Sequence, residues 1–204
     1  MVDKKNNANS FANFIYCLGS LERKNSQLFN ELANKTVLIE AKSHLLKLSQ
    51  GNDKQSKVLI DLSNKLGTSR IKSHECKLKL RPVCKITESL IDQIQKKKKI
   101  TAKELSNVLS TLELQGGSTQ YLFNQLRTFI FMSKEISQLY GIHLEDFNNQ
   151  IMELAQQVEE HIELLELIKT KISQIKNKKT DVYNPVFKYQ TPDAWITPIS
   201  GRED

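Results

Sequence analysis

The stretch SFANFIYCLGSLERKNSQLFNELANKTV, residues 10–37, decides the fold. Within it Phe11, Phe14, Ile15, Leu18, Leu21, Leu28, Leu32 and Val37 recur at steps of three, four and seven. That period stacks side chains on one face of a helix. Ser10 stands in the position of an N-cap, so the helix is expected to begin at Phe11, and the polar residues 1–9 ahead of it read as a disordered N-terminus. The same period returns downstream. Ile39, Leu45, Leu48, Val58, Ile60, Leu62 and Leu66 mark a second helix, stopped at Gly67, a residue that accepts the left-handed backbone of a helix end.

Between Thr68 and Pro82 the periodicity weakens, which predicts a connection followed by an extra helix from about Pro82 to Lys98, with the proline in its first turn. Thr101 and Glu104 have the S/T-x-x-E spacing of a capping box, which satisfies two orphan amides at a helix start. A third long helix therefore opens there. It carries Leu105, Val108, Leu109 and Leu112, passes the interruption at Gly116 and Gly117 and ends near Gly141. The fourth runs from Leu144 to about Lys176, with Leu154, Val158, His161, Ile168 and Ile172 on its apolar stripe. Four amphipathic stripes joined by modest connections bury themselves against one another, so the expected fold is all-α, an antiparallel four-helix bundle over residues 10–178. Residues 179–204 read as an extended tail, because Pro185, Pro192 and Pro198 break helices while Tyr183, Phe187, Tyr189 and Trp195 are too apolar for a free linker. Its aromatic residues, Tyr189 and Trp195 above all, are the expected anchors on the bundle itself, on a second copy in a homo-oligomer or on a protein partner.

Composition narrows the function classes. Seven Gly and four Pro in 204 residues, with a net charge of +7, describe a basic helical protein. The charge allows a nucleic-acid or acidic-surface partner, yet the one compact run, Lys96–Lys99, lacks aromatic or Arg neighbours and reads first as a solvated helix end. No run of about 18 apolar residues is present, so no membrane span is expected. Cys17, Cys76 and Cys84, an odd number without a CxxC, read as buried thiols of a cytoplasmic protein, and the polar N-terminus lacks the apolar core of a signal peptide. His44, His74, His143 and His161 form no HExxH, and neither GxGxxG nor GxxxxGK[ST] occurs, which leaves hydrolase and nucleotide-dependent chemistry without a motif.

One constellation remains. A bundle holds two metals when its helices supply, in order, Glu, Glu-x-x-His, Glu and Glu-x-x-His. Glu22 in LGSLERKNSQLFNEL, Glu113 in LSTLELQGGSTQYLFNQLRTF and His161 in AQQVEEHIELLELI stand at three of those places. In these features and in its helix lengths, the chain over residues 11–175 resembles the ferritin-like superfamily, the rubrerythrin type in particular. The resemblance implies a metal site at Glu22, Glu113 and His161. It also exposes departures: the second helix offers Asn52 and Gln55 where the family has a carboxylate and a His, and Val158 stands three before His161 in place of Glu. The expectation is a degenerate ferritin-like module that binds or scaffolds rather than catalyses and holds no cofactor, or one iron or other transition-metal ion. The alternatives are an iron-dependent oxidoreductase of rubrerythrin type and a basic bundle on nucleic acid or an acidic surface. Without metal, Asn52 and Gln55 are expected to satisfy the two carboxylates by hydrogen bonds.

Overall fold

The computed structural model of the chain describes residues 4–66, 71, 73–114 and 148–181. Six α-helices lie among them: α1 (Lys4–Lys35), α2 (Ile39–Leu66), α3 (Ser73–Lys79), α4 (Arg81–Gln95), α5 (Ala102–Leu114) and α6 (Asn148–Asp181). The only β-pairing among the described residues is a single parallel bridge between Thr36 and Ile100. The all-α expectation is met at that level. Its boundaries need correction. α1 starts at Lys4, because nothing from Lys4 to Ser10 breaks a helix, and residues 4–9 are helical rather than disordered. α6 runs to Asp181, so residues 179–181 are helix and not tail. The expected turn at Gly141, the glycine pair 116–117 and the aromatic tail with Tyr189 and Trp195 lie outside the described residues.

α1 and α2 form an antiparallel hairpin whose seam is made of small residues seven apart: Ala12, Gly19, Ser26 and Ala33 on α1, Ser49, Ser56 and Ser63 on α2. The Ser63 hydroxyl donates to the Ala12 carbonyl at 2.7 Å, and the Ser49 hydroxyl donates to the Ser26 carbonyl at 2.9 Å. Between them, a Cβ on Gly19 would stand 2.9 Å from Ile60 Cγ1 and 3.1 Å from the Ser56 carbonyl oxygen, so only glycine lets the two backbones come this close. α6 packs on α2, α4 packs on α1, and α5 bridges α4 and α6.

The turn between α1 and α2 is tied to the loop between α4 and α5. The Val37 amide donates to the Ile100 carbonyl at 2.9 Å and the Ile100 amide donates to the Lys35 carbonyl at 2.7 Å. α4 stops at Gln95, short of the expected Lys98. There the Lys35 ammonium takes the Ile94 and Gln95 carbonyls at 3.0 Å each, which satisfies the orphan acceptors of the helix end from outside. The capping box at the start of α5 forms as read: Thr101 N–H donates to Glu104 Oε2 at 2.8 Å and Glu104 N–H donates to Thr101 Oγ1 at 3.3 Å. A salt bridge to Lys97, with the bonds that Thr101 N–H and Thr101 Oγ1 both donate to Oε2, pulls the Glu104 carboxyl down to about pKa 2.

The cysteines correct the sequence reading. Cys17 on α1 and Cys76 on α3 form a disulfide, with Cα atoms 5.0 Å apart, because the short α3 folds back against the middle of α1. Cys84 alone is a free, buried thiol.

The core falls into two apolar clusters. One gathers Phe11, Leu18, Leu21, Leu59, Leu62, Cys84, Leu154 and Val158; the other gathers Leu28, Phe29, Leu32, Leu45, Leu48, Leu90, Ile94, Ile100, Leu105 and Ile168. On every helix that crosses from one cluster to the other, the fully buried residues in between are polar.

Candidate functional site: a polar layer across the middle of the bundle

Those intervening residues include Glu22 and Asn25 on α1, Asn52 and Gln55 on α2, Thr87 on α4 and His161 on α6, with Gln157 one turn before His161, all buried. Each occupies a place on its helix's apolar stripe. Asn25 lies between Leu21 and Leu28, Asn52 and Gln55 between Leu48 and Leu59, Thr87 between Cys84 and Leu90. Their helices therefore carry them inward whether or not a partner waits there. The hairpin contacts fix the level. Gly19 abuts Ser56 and Ser26 abuts Ser49, so Glu22 and Asn25 on α1 share a slab with Asn52 and Gln55 on α2.

His161 is fastened to the same slab by Gly51. A Cβ built on Gly51 would stand 2.0 Å from His161 Nε2 and 2.9 Å from Cε1, so the imidazole lies against bare backbone. That contact explains a glycine inside a 28-residue helix, where it costs roughly 1 kcal/mol relative to alanine.

Hydrogen bonding in the layer is incomplete. Asn25 Nδ2 donates to Glu22 Oε2 at 3.3 Å, and the Thr87 hydroxyl donates to Asn25 Oδ1 at 3.5 Å. Gln157 Nε2 donates to Glu153 Oε1 at 3.2 Å. Both amide atoms of Asn52, Nε2 of Gln55, Oε1 of Gln157 and Nδ1 of His161 have no partner among the described residues. The expectation that Asn52 and Gln55 satisfy the Glu22 carboxyl is thus corrected. Asn25 does so, because it sits one turn away on the same helix and reaches Glu22 without crossing the interface.

Burial sets the charge of this layer. Glu22, 3% exposed, has its pKa raised to about 8 by desolvation, against which the Asn25 bond works only partly. His161, also 3% exposed, has its pKa lowered to about 4 by the same cause, with Glu160 opposing. At pH 7 both are therefore mainly uncharged. Of the three ligands expected from the sequence, Glu22 and His161 turn into the bundle. Glu113 is on α5, and its side chain lies outside the described residues. No group of three or more His, Cys, Asp or Glu converges as a metal cage among the described residues.

Sequence reasoning picked out Glu22, Asn52, Gln55 and His161 but missed Asn25, Thr87, Gln157 and the role of Gly51. The available signal was a polar residue on an apolar stripe, repeated at matching depth on four helices. Comparison of the chain with protein families, with curated proteins and with solved structures finds no match.

Proposed function

We propose that the protein is a non-catalytic binding or scaffold module, a ferritin-like bundle whose metal centre has been replaced by a neutral polar layer. The observation that carries this reading is the charge state of the layer. Iron ions need anionic oxygen to offset their charge, yet Glu22, the one buried carboxyl among the described residues, has its pKa raised to about 8 by burial. α2 supplies the amides Asn52 and Gln55, and Val158 packs into the apolar core. These residues do not fit a pair of irons, so no redox step is assigned to them. Glu22 and His161, on α1 and α6 and both turned inward, are what support ferritin-like descent. Partner contacts or self-association through Tyr189 and Trp195 remain part of the proposal. The cytoplasmic location loses its support from unpaired thiols, since Cys17 and Cys76 are bonded. No described helix is long and apolar enough to cross a membrane.

The test is elemental analysis of protein purified without chelator, together with peroxide-driven oxidation of added ferrous iron. Fewer than one metal per chain and no oxidation above buffer are expected; two irons per chain would overturn the reading. A second reading, one transition-metal ion on Glu22 and His161 with Glu113 as the third ligand, is favoured by one observation: His161 Nδ1 is buried without a partner. Binding there would have to expel the Glu22 proton. Metal affinity would then rise with pH toward about 8 and vanish in His161→Ala.

A further inference from the structure

The end of the bundle where α1 turns into α2 carries a surface that the polar layer does not use. The α1–α2 turn and the α4–α5 loop are bridged there through Thr36 and Ile100. Residues 35–42 and 95–104 together contain seven lysines and two glutamates. Lys97 is engaged by Glu104 and Lys35 by Glu31, but Lys96, Lys98 and Lys99 are exposed and have no acidic partner among the described residues. α6 runs on past Ile175, which packs on the adjoining apolar cluster, into the sequence Lys176, Lys178 and Lys179.

Among these lysines stand two bare aliphatic side chains. Ile39 is 81% exposed and Val37 is 51% exposed, at positions where nothing local requires an apolar residue. A solvated basic helix end explains the lysines but not the isoleucine. Nucleic-acid surfaces pair lysine with arginine and with aromatic side chains that stack on bases, and neither is present in these two segments. Lysines framing aliphatic side chains suit an anionic lipid interface, where the ammonium groups meet headgroups and the branched chains enter the acyl boundary.

We propose that this end of the bundle docks on the headgroup layer of an anionic phospholipid membrane, with Ile39 and Val37 entering the interface and Lys96, Lys98 and Lys99 contacting the headgroups. Docking of this kind is peripheral and independent of any metal.

The experiment is co-sedimentation of the full chain with vesicles of phosphatidylcholine, with and without phosphatidylserine, at low and moderate salt. Binding only to the anionic vesicles, weakened by salt, is expected. Reversing Lys96, Lys98 and Lys99 to Glu should lower the partition coefficient by at least roughly 100-fold, and Ile39→Ser by about tenfold. All four side chains are exposed, and circular dichroism checks that the variants stay folded. Equal loss on reversing Lys57, Lys65 and Lys85 instead would overturn the assignment, because binding would then follow net charge alone. So would an unaffected Ile39→Ser, binding to uncharged vesicles, or a chain that ignores vesicles but retains duplex DNA.

Discussion

At Gly51 a methyl group would stand 2.0 Å from His161 Nε2, inside any permissible contact. Gly51→Ala is therefore expected to destabilise the protein by roughly 1–3 kcal/mol, as overpacking does, despite alanine's better helix propensity. His161→Ala in the same chain should return much of that loss, because the methyl group then has room. A double-mutant cycle by urea unfolding checks this, with a coupling energy on the order of 1 kcal/mol or more for residues in contact. Additive effects would show that His161 does not lie on Gly51. Nothing local in the sequence marks Gly51, since the atom it avoids belongs to a helix more than a hundred positions downstream.

Among the elements, α3 is the weakest by itself: seven residues are too few for an isolated helix to hold in water. Two links hold it. The Cys17–Cys76 disulfide ties it to α1, and Lys77 on α3 shares Glu88 on α4 with Lys24 on α1, the Lys77 pair at 2.9 Å. Closing a loop of 59 positions removes chain entropy worth roughly 4 kcal/mol from the unfolded state. Replacing both cysteines by serine should therefore lower Tm by on the order of 10 °C, and reductant should have no further effect on that variant. An unchanged Tm on reduction of the native chain would mean that the bond does not constrain unfolding. Helix boundaries were legible where local chemistry sets them, as at Thr101 and Glu104. The end of α4 was not, because its carbonyls are taken by Lys35 from another helix.

Over the whole molecule the polar layer writes a pH dependence into stability. The His161 pKa falls from 6.5 to about 4 on folding, so its neutral form contributes fully above about 6.5, and that contribution is lost as pH drops toward 4. The Glu22 pKa rises from 4.5 to about 8, so its contribution is full below about 4.5 and is lost as pH climbs through 8. The two oppose each other between 4.5 and 6.5; from 6.5 to 8 Glu22 acts without His161, and unfolding free energy should fall by up to about 1.4 kcal/mol per pH unit. Glu22→Gln keeps the acceptor for Asn25 and has no proton to lose. Its stability should be flat over that window and should exceed that of the native chain at pH 8, as read from urea midpoints. A native chain already flat from 6.5 to 8 would mean that Glu22 is not held protonated. The sequence by itself determined that the chain is helical, which faces of α1, α2, α4 and α6 turn inward, and that Glu22, Asn52, Gln55 and His161 ride on those faces, because helical periodicity is a local property. Tertiary structure alone decided that the polar positions meet at one level between two apolar clusters, that Asn25 and not Asn52 serves Glu22, that Cys17 finds Cys76, and that burial strips the charge from Glu22 and His161. Each of these depends on which segments the fold brings together and on how completely water is excluded from between them.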